Sequence, residues 1–76
     1  MNKPRRKELD TLIERINLIC EELECVMNDE EEYRDNIPEN LQDSEKYTKS
    51  DEACDSLQEA IDQLEEAISS IESAQE

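Results

Sequence analysis

The sequence contains no glycine, histidine, tryptophan or phenylalanine. β-Rich folds need tight turns, in which glycine is prominent, so its absence argues against them. Without histidine the chain lacks the commonest general base and a frequent metal ligand. Alternating strand patterns are missing, and no apolar run approaches the roughly 20 residues that a bilayer-spanning helix needs. These absences favour an all-helical protein without catalytic chemistry.

The chain is short and strongly acidic. Its 76 residues allow one domain that buries little apolar surface, and such small folds are seldom stable without a cross-link or a partner. There are 23 acidic and 8 basic residues, which give a formal net charge of −15. High charge with few aromatic residues can indicate disorder, but here the apolar residues are spaced periodically, so the sequence predicts folded helices.

Cysteine usage favours a reducing compartment. The chain has Cys20, Cys25 and Cys54, an odd number without a CxxC motif, which argues against a secreted disulfide framework and predicts a cytoplasmic location. The basic start is followed by Glu8 and Asp10 instead of an apolar segment, so it does not resemble a signal peptide. We expect Cys20 and Cys54 to fill the core and Cys25 to be exposed, with no basic neighbour to activate its thiol.

Residues 53–75 contain one seven-residue unit three times and begin a fourth. Apolar residues three and four apart share one side of an α-helix, so this repeat predicts a helix with a narrow apolar seam. An alanine precedes each first position of the seam. The predicted seam consists of Cys54, Leu57, Ile61, Leu64, Ile68 and Ile71, and the alanines are Ala53, Ala60, Ala67 and Ala74.

A first helix is predicted over about residues 4–33, and its apolar stripe is wider. Apolar residues occupy both rows of positions that steps of three and four residues can connect along this side of the helix. Such a wide stripe suits a helix that touches two neighbours in a bundle. Leu18 and Cys25 fall on the opposite face, either as ordinary exposed residues or as a second contact patch. The stripe comprises Leu9, Leu12, Ile13, Ile16, Ile19, Cys20, Leu23, Val26 and Met27.

The connection is predicted over residues 34–43, and the second helix over about residues 44–74. Ile37 is biased away from helical geometry because Pro38 follows it, and Ser44 is a suitable N-cap, although a capping-box pattern also allows a start at Thr48. We expect Tyr33, Ile37, Leu41 and Tyr47 to cluster and close this end of the molecule. Matched helices and a short connection predict one domain over residues 1–76, an antiparallel two-helix hairpin resembling a coiled coil. Because one hairpin leaves the wide stripe partly uncovered, we expect two hairpins to dimerise into a four-helix bundle; the alternatives are a monomer that docks onto another protein and a higher oligomer.

No catalytic, metal-binding or cofactor-binding residues are predicted. Carboxylate ligands of a di-iron bundle would interrupt the apolar stripes, and none does so between Leu9 and Met27 or between Cys54 and Ile71. The acidic run that begins at Asp29 lacks the spacing of an EF-hand. We therefore predict a protein that is not an enzyme and needs no cofactor.

Charge is the most distinctive surface feature. Lysine and arginine are absent from Ser50 onward, and this surface would repel nucleic acid and anionic membranes but attract a basic protein surface. The basic residues from Lys3 to Lys7 could pair with the acidic end of the second helix. The predicted partner-binding acids are Asp55, Glu59, Asp62, Glu65 and Glu66, with Asp29, Glu30, Glu31 and Glu32 as second choice.

Two functions fit this surface. One is a helical assembly or adaptor module that binds protein. The other is a nucleic-acid mimic that inhibits a protein with a basic groove. A dimer with a length of about 45 Å would carry one net charge per about 1.5 Å, close to the about 1.7 Å of B-DNA.

Two stretches of the sequence resemble known proteins. They are the segment Glu30 to Tyr47, with Asn-Ile-Pro-Glu-Asn-Leu-Gln at 36–42, and Glu-Ala-Ile-Asp-Gln-Leu-Glu-Glu-Ala-Ile at 59–68. Over about residues 9–74 the chain resembles small acidic helical-hairpin proteins of Gram-positive bacteria and their phages. The resemblance implies a helical hairpin and lends no functional residue. A phage or mobile-element setting would favour an inhibitor of host defence, such as an anti-CRISPR protein.

Overall fold

A computed structural model describes all residues from Met1 to Glu76. It contains helix α1 (Lys3–Asp35), a 3-10 turn (Glu39–Leu41) and helix α2 (Glu45–Ala74), with no strand. The two helices pack against each other as an antiparallel hairpin, which confirms the predicted all-α fold class. The hairpin is a thin rod of 59 × 15 × 11 Å.

Local sequence signals set both helix starts. The Asn2 side chain accepts a hydrogen bond from the Arg5 backbone N–H at 2.9 Å, with proline in the first turn. The Ser44 hydroxyl accepts from the Tyr47 backbone N–H at 3.4 Å and caps α2. The Thr48 hydroxyl instead donates to the Ser44 carbonyl oxygen, so α2 does not start at the alternative position.

The connection turns sharply over nine residues, 36–44. Pro38 has an extended ψ of 144° and the 3-10 turn follows it, as expected from the conformational restriction of proline. Ile37 and Tyr47 are half-buried, whereas Tyr33 and Leu41 stay 46% and 49% exposed. The prediction that these four side chains close the end of the hairpin is therefore wrong for Tyr33 and Leu41, which remain largely open to solvent.

The helices meet along a seam that repeats every seven residues, and every member is buried or half-buried. Full burial is confined to five residues, because two helices alone cannot enclose a core. Ile61 is the most deeply buried, at 1% exposure. First seam positions hold Ile13, Cys20, Met27 and Arg34 in α1, Tyr47, Cys54, Ile61 and Ile68 in α2, and Gln75 at the C-cap of α2. Second seam positions hold Leu9, Ile16, Leu23 and Glu30 in α1 and Ser50, Leu57, Leu64 and Ile71 in α2.

The N-terminal turns of α1 project beyond the end of α2. The side-chain amide of Gln75 donates to Asp10 at 3.0 Å, so the C-terminal end of α2 lies level with the third turn of α1. The segment from Lys3 to Lys7 is exposed and forms no ion pair. The predicted pairing of this basic segment with the acidic end of α2 is therefore wrong, because α2 ends too early to reach it.

Candidate binding surfaces

One flank of the hairpin is polar and mostly acidic, and we call it the acidic flank. It is formed by the residues that directly follow second seam positions in both helices. Besides burial, Glu65 from α2 and Glu24 from α1 both raise the pKa of the Cys20 thiol, so both lie near this seam residue, and their heptad positions fall on one side of an antiparallel seam. The acidic flank comprises Asp10, Asn17, Glu24 and Glu31 from α1 and Asp51, Gln58, Glu65 and Glu72 from α2.

The opposite flank is apolar, and we call it the apolar flank. It is formed by the residues that directly precede first seam positions. Both helices are right-handed but run in opposite directions, so residue numbers advance clockwise around one and anticlockwise around the other when both are viewed from the same end. These positions therefore lie on the same side of the hairpin in α1 and α2. It comprises Leu12, Ile19, Val26 and Tyr33 from α1 and Ala53, Ala60, Ala67 and Ala74 from α2.

The apolar flank is uncovered. Leu12, Ile19, Val26 and Tyr33 are 38%, 48%, 54% and 46% exposed, and they repeat every seven residues over three helical heptads. Seam residues are also less buried on the side of the apolar flank than on the side of the acidic flank. First seam positions provide four of the five buried residues, whereas the apolar second seam positions, which border the apolar flank, are only half-buried. Water therefore reaches the seam from the apolar side.

Polar side chains interrupt the seam near the connection, at positions that were not among the seam residues predicted from the sequence. The buried Ser50 hydroxyl lies 3.1 Å from Glu30 Oε1 and 3.4 Å from the Glu30 carbonyl oxygen. Arg34 Nη1 donates to Asp51 Oδ1 at 2.9 Å. The heptad spacing could have shown this, because Ser50 precedes Cys54 by four residues and both therefore lie on the seam.

The acids predicted to bind a partner occupy different surfaces. Glu65 is on the acidic flank, and the other four predicted acids of α2 are exposed on its outer side, where none forms an ion pair. Asp62 accepts a hydrogen bond from Gln58 at 3.0 Å. The run from Asp29 to Glu32 winds around α1 and is not one surface, since Glu30 lies in the seam and Glu31 on the acidic flank. The four acids on the outer side of α2 are Asp55, Glu59, Asp62 and Glu66.

The three cysteines are free and lie in different environments. Burial raises the pKa of the Cys20 thiol, and nearby carboxylates raise it further. Burial also raises the pKa of the Cys54 thiol; the Arg34 guanidinium acts against this shift, and the neighbouring carboxylates add to it. Cys25 is exposed on the outer side of α1, seven residues from Leu18, which is 59% exposed.

The surface has no pocket, and no group of three or more His, Cys, Asp or Glu side chains is placed to hold a metal ion. Neither helix combines the length and the apolar character required to cross a membrane. Comparisons with protein-family models, with curated proteins and with solved structures found no match to this chain. The resemblance to hairpin proteins of Gram-positive bacteria and their phages stays a prediction.

Proposed function

We propose that this chain is a non-enzymatic protein-binding module of the helical assembly or adaptor kind, and that it works through the apolar flank. The supporting observation is the row of four large apolar side chains that α2 leaves 38–54% exposed. Contiguous apolar patches beyond a few hundred Å² on a folded protein mark interaction surfaces. The matching seven-residue spacing further favours a helix as the element that covers it.

The charge distribution determines which partners suit this module. The exposed carboxylates repel nucleic acid and anionic membranes, so we propose a protein partner in the cytoplasm, where the three free thiols stay reduced. Basic groups around the partner's apolar contact would be attracted to the neighbouring carboxylates. The charge would then guide association, and the apolar flank would supply most of the affinity.

The test compares two double variants that remove similar exposed apolar pairs. Ile19→Ser/Val26→Ser changes the apolar flank, whereas Leu18→Ser/Cys25→Ser changes the outer side of α1 at the same spacing. Tagged proteins are used to capture partners from host lysate at low salt and at about 0.5 M salt, where charge acts over only a few ångströms. We expect a partner that survives high salt, is lost with the first variant and is kept with the second. Equal capture by both variants would refute the proposal.

A nucleic-acid mimic is the second candidate, supported by the unpaired carboxylates on the outer side of α2. The hairpin is 59 Å long instead of the expected length of about 45 Å, so its charge per unit length is lower than the sequence suggested. Two copies side by side would carry 30 net negative charges over 59 Å, or one per about 2.0 Å, slightly below B-DNA at about 1.7 Å. An anti-CRISPR-like inhibitor of this kind would release its basic partner at high salt and compete with DNA. Insensitivity to both treatments would refute it.

A further inference from the structure

We propose that a second copy of this chain covers the apolar flank, with α1 of each copy lying on α2 of the other. This inference rests on the proposed function and specifies its partner. It predicts a symmetric four-helix bundle in which both connections lie at the same end. The sequence suggested a dimer without indicating which helices would meet.

One hairpin exposes more surface than a compact monomer of the same mass, and a dimer would cover part of that excess. One copy exposes 5877 Å², whereas a globular monomer of 8.9 kDa is expected to expose about 4,800 Å². The excess of about 1,100 Å² is comparable with the roughly 800 Å² that each partner buries in a standard interface. The apolar flank has a suitable size, since it extends about 31 Å along the helix from Leu12 to Tyr33.

The shape of the flank is complementary to itself. The α1 side presents a ridge of large side chains, and the α2 side presents a low strip of alanines. Cross-helix contacts set the register to within a few residues, because the two residue numbers total 85 in Gln75–Asp10 and Arg34–Asp51 and 80 in Ser50–Glu30. The large residues Leu12, Ile19, Val26 and Tyr33 therefore run beside the alanines Ala74, Ala67, Ala60 and Ala53 with the same seven-residue spacing.

This geometry selects one of two symmetric arrangements. A two-fold axis parallel to the helices places each ridge on the alanine strip of the other copy at the same level, so large and small residues alternate. A two-fold axis perpendicular to the helices places ridge against ridge and leaves the alanine strips facing each other across a gap. Close packing therefore favours the first arrangement.

The charges that border the apolar flank are compatible with the same arrangement. On α2 the bordering row contains no carboxylate, although the other exposed rows of this helix are acidic. On α1 the bordering row is mixed. When α1 lies on the partner's α2, the one charged residue of the α2 row, Lys49, lies near the connection and away from the one basic residue of the α1 row, Arg15, so like charges do not meet. The α2 row is Lys49, Ser56, Gln63 and Ser70, and the α1 row is Glu8, Arg15, Glu22 and Asp29.

Sedimentation equilibrium of the full chain, from about 1 to 100 μM, tests the self-association. Ala67→Lys places a charge on the apolar flank at an exposed position, and Ser69→Lys places the same charge on the outer side of α2. We expect a dimer whose Kd rises at least tenfold with Ala67→Lys and does not rise with Ser69→Lys. Equal effects of the two variants would overturn the assigned interface, provided that circular dichroism shows both to be helical.

A distance between the two copies tests the arrangement. In a Cys25→Ser background, Asn40→Cys carries a spin label at the connection, and Cys25→Ser alone reports any labelling of the buried thiols. We expect the labels within about 30 Å, less than three helix diameters. Separation near the full 59 Å would show the other arrangement and overturn this one. A monomer at all concentrations would overturn the dimer, while a captured partner that depends on Ile19 and Val26 would still support the proposed function.

Discussion

Replacing Ile61 with alanine tests the seam that holds the two helices together. Ile61 is 1% exposed, the lowest value in the chain, and it lies midway along α2. Ile→Ala changes in protein cores cost about 2–5 kcal/mol, which includes the cavity they leave. The neighbouring apolar second seam positions are only half-buried, so solvent and side chains can partly fill the space. We therefore expect a loss near the lower end, about 2–3 kcal/mol.

That loss is large for a protein of this size. At about 0.05–0.15 kcal/mol per residue, a chain of 76 residues has a total stability of about 4–11 kcal/mol. In domains of 60–100 residues, 1 kcal/mol shifts Tm by about 4–8 °C, so Ile61→Ala should lower Tm by about 10–20 °C. Helicity followed by circular dichroism during heating and during urea unfolding measures both quantities.

The matched control is Leu18→Ala, which shortens an apolar side chain that is 59% exposed on the outer side of α1. Its free energy of unfolding should change by less than about 0.5 kcal/mol. All proteins must be compared at one concentration, because self-association makes Tm depend on concentration. Equal losses from Ile61→Ala and Leu18→Ala would refute the seam assignment, since they would show that burial at position 61 contributes nothing.

Four further predictions concern charge and the thiols. Alkylation at pH 8 should modify Cys25 first, since burial raises the pKa of Cys20 and Cys54; rapid modification of all three in the folded protein would contradict this. Because those two folded-state pKa values are raised, the stability that the thiols contribute is intact below about pH 8.5 and falls at higher pH, so Tm should be lower at pH 10 than at pH 8. A double-mutant cycle with Arg34→Met and Asp51→Asn should give a coupling of about 0.5–1 kcal/mol, because the ion pair is partly exposed; no coupling would show that the 2.9 Å contact does not stabilise the hairpin. Raising salt from about 0.02 to 0.5 M should increase Tm by screening repulsion across the acidic flank, and a decrease would mean that attractive pairs dominate.

The helical hairpin could be predicted because its determinants are local. Seven-residue spacing, Pro38 and the Ser44 cap each act over a few residues, and they place the helix ends close to where they occur. The heptad spacing places Ser50 on the seam, but only the packing of the two helices shows that its hydroxyl contacts Glu30. The pairing predicted for the basic N-terminal segment is wrong for a related reason, since it depends on how far α2 extends.

The sequence by itself determined the two helices, their amphipathic stripes and the net charge, because helical periodicity and composition do not depend on the rest of the fold. In α1, however, both the row that contains Cys20 and Met27 and the row that contains Ile19 and Val26 are apolar, and the sequence does not show which of them faces α2. Tertiary structure made that choice. Antiparallel packing against α2 placed Cys20 and Met27 inside the seam and left Ile19 and Val26 outside. The side on which a row lies depends on the direction and register of the neighbouring helix, so only the folded hairpin places those side chains on the same flank as the alanines of α2.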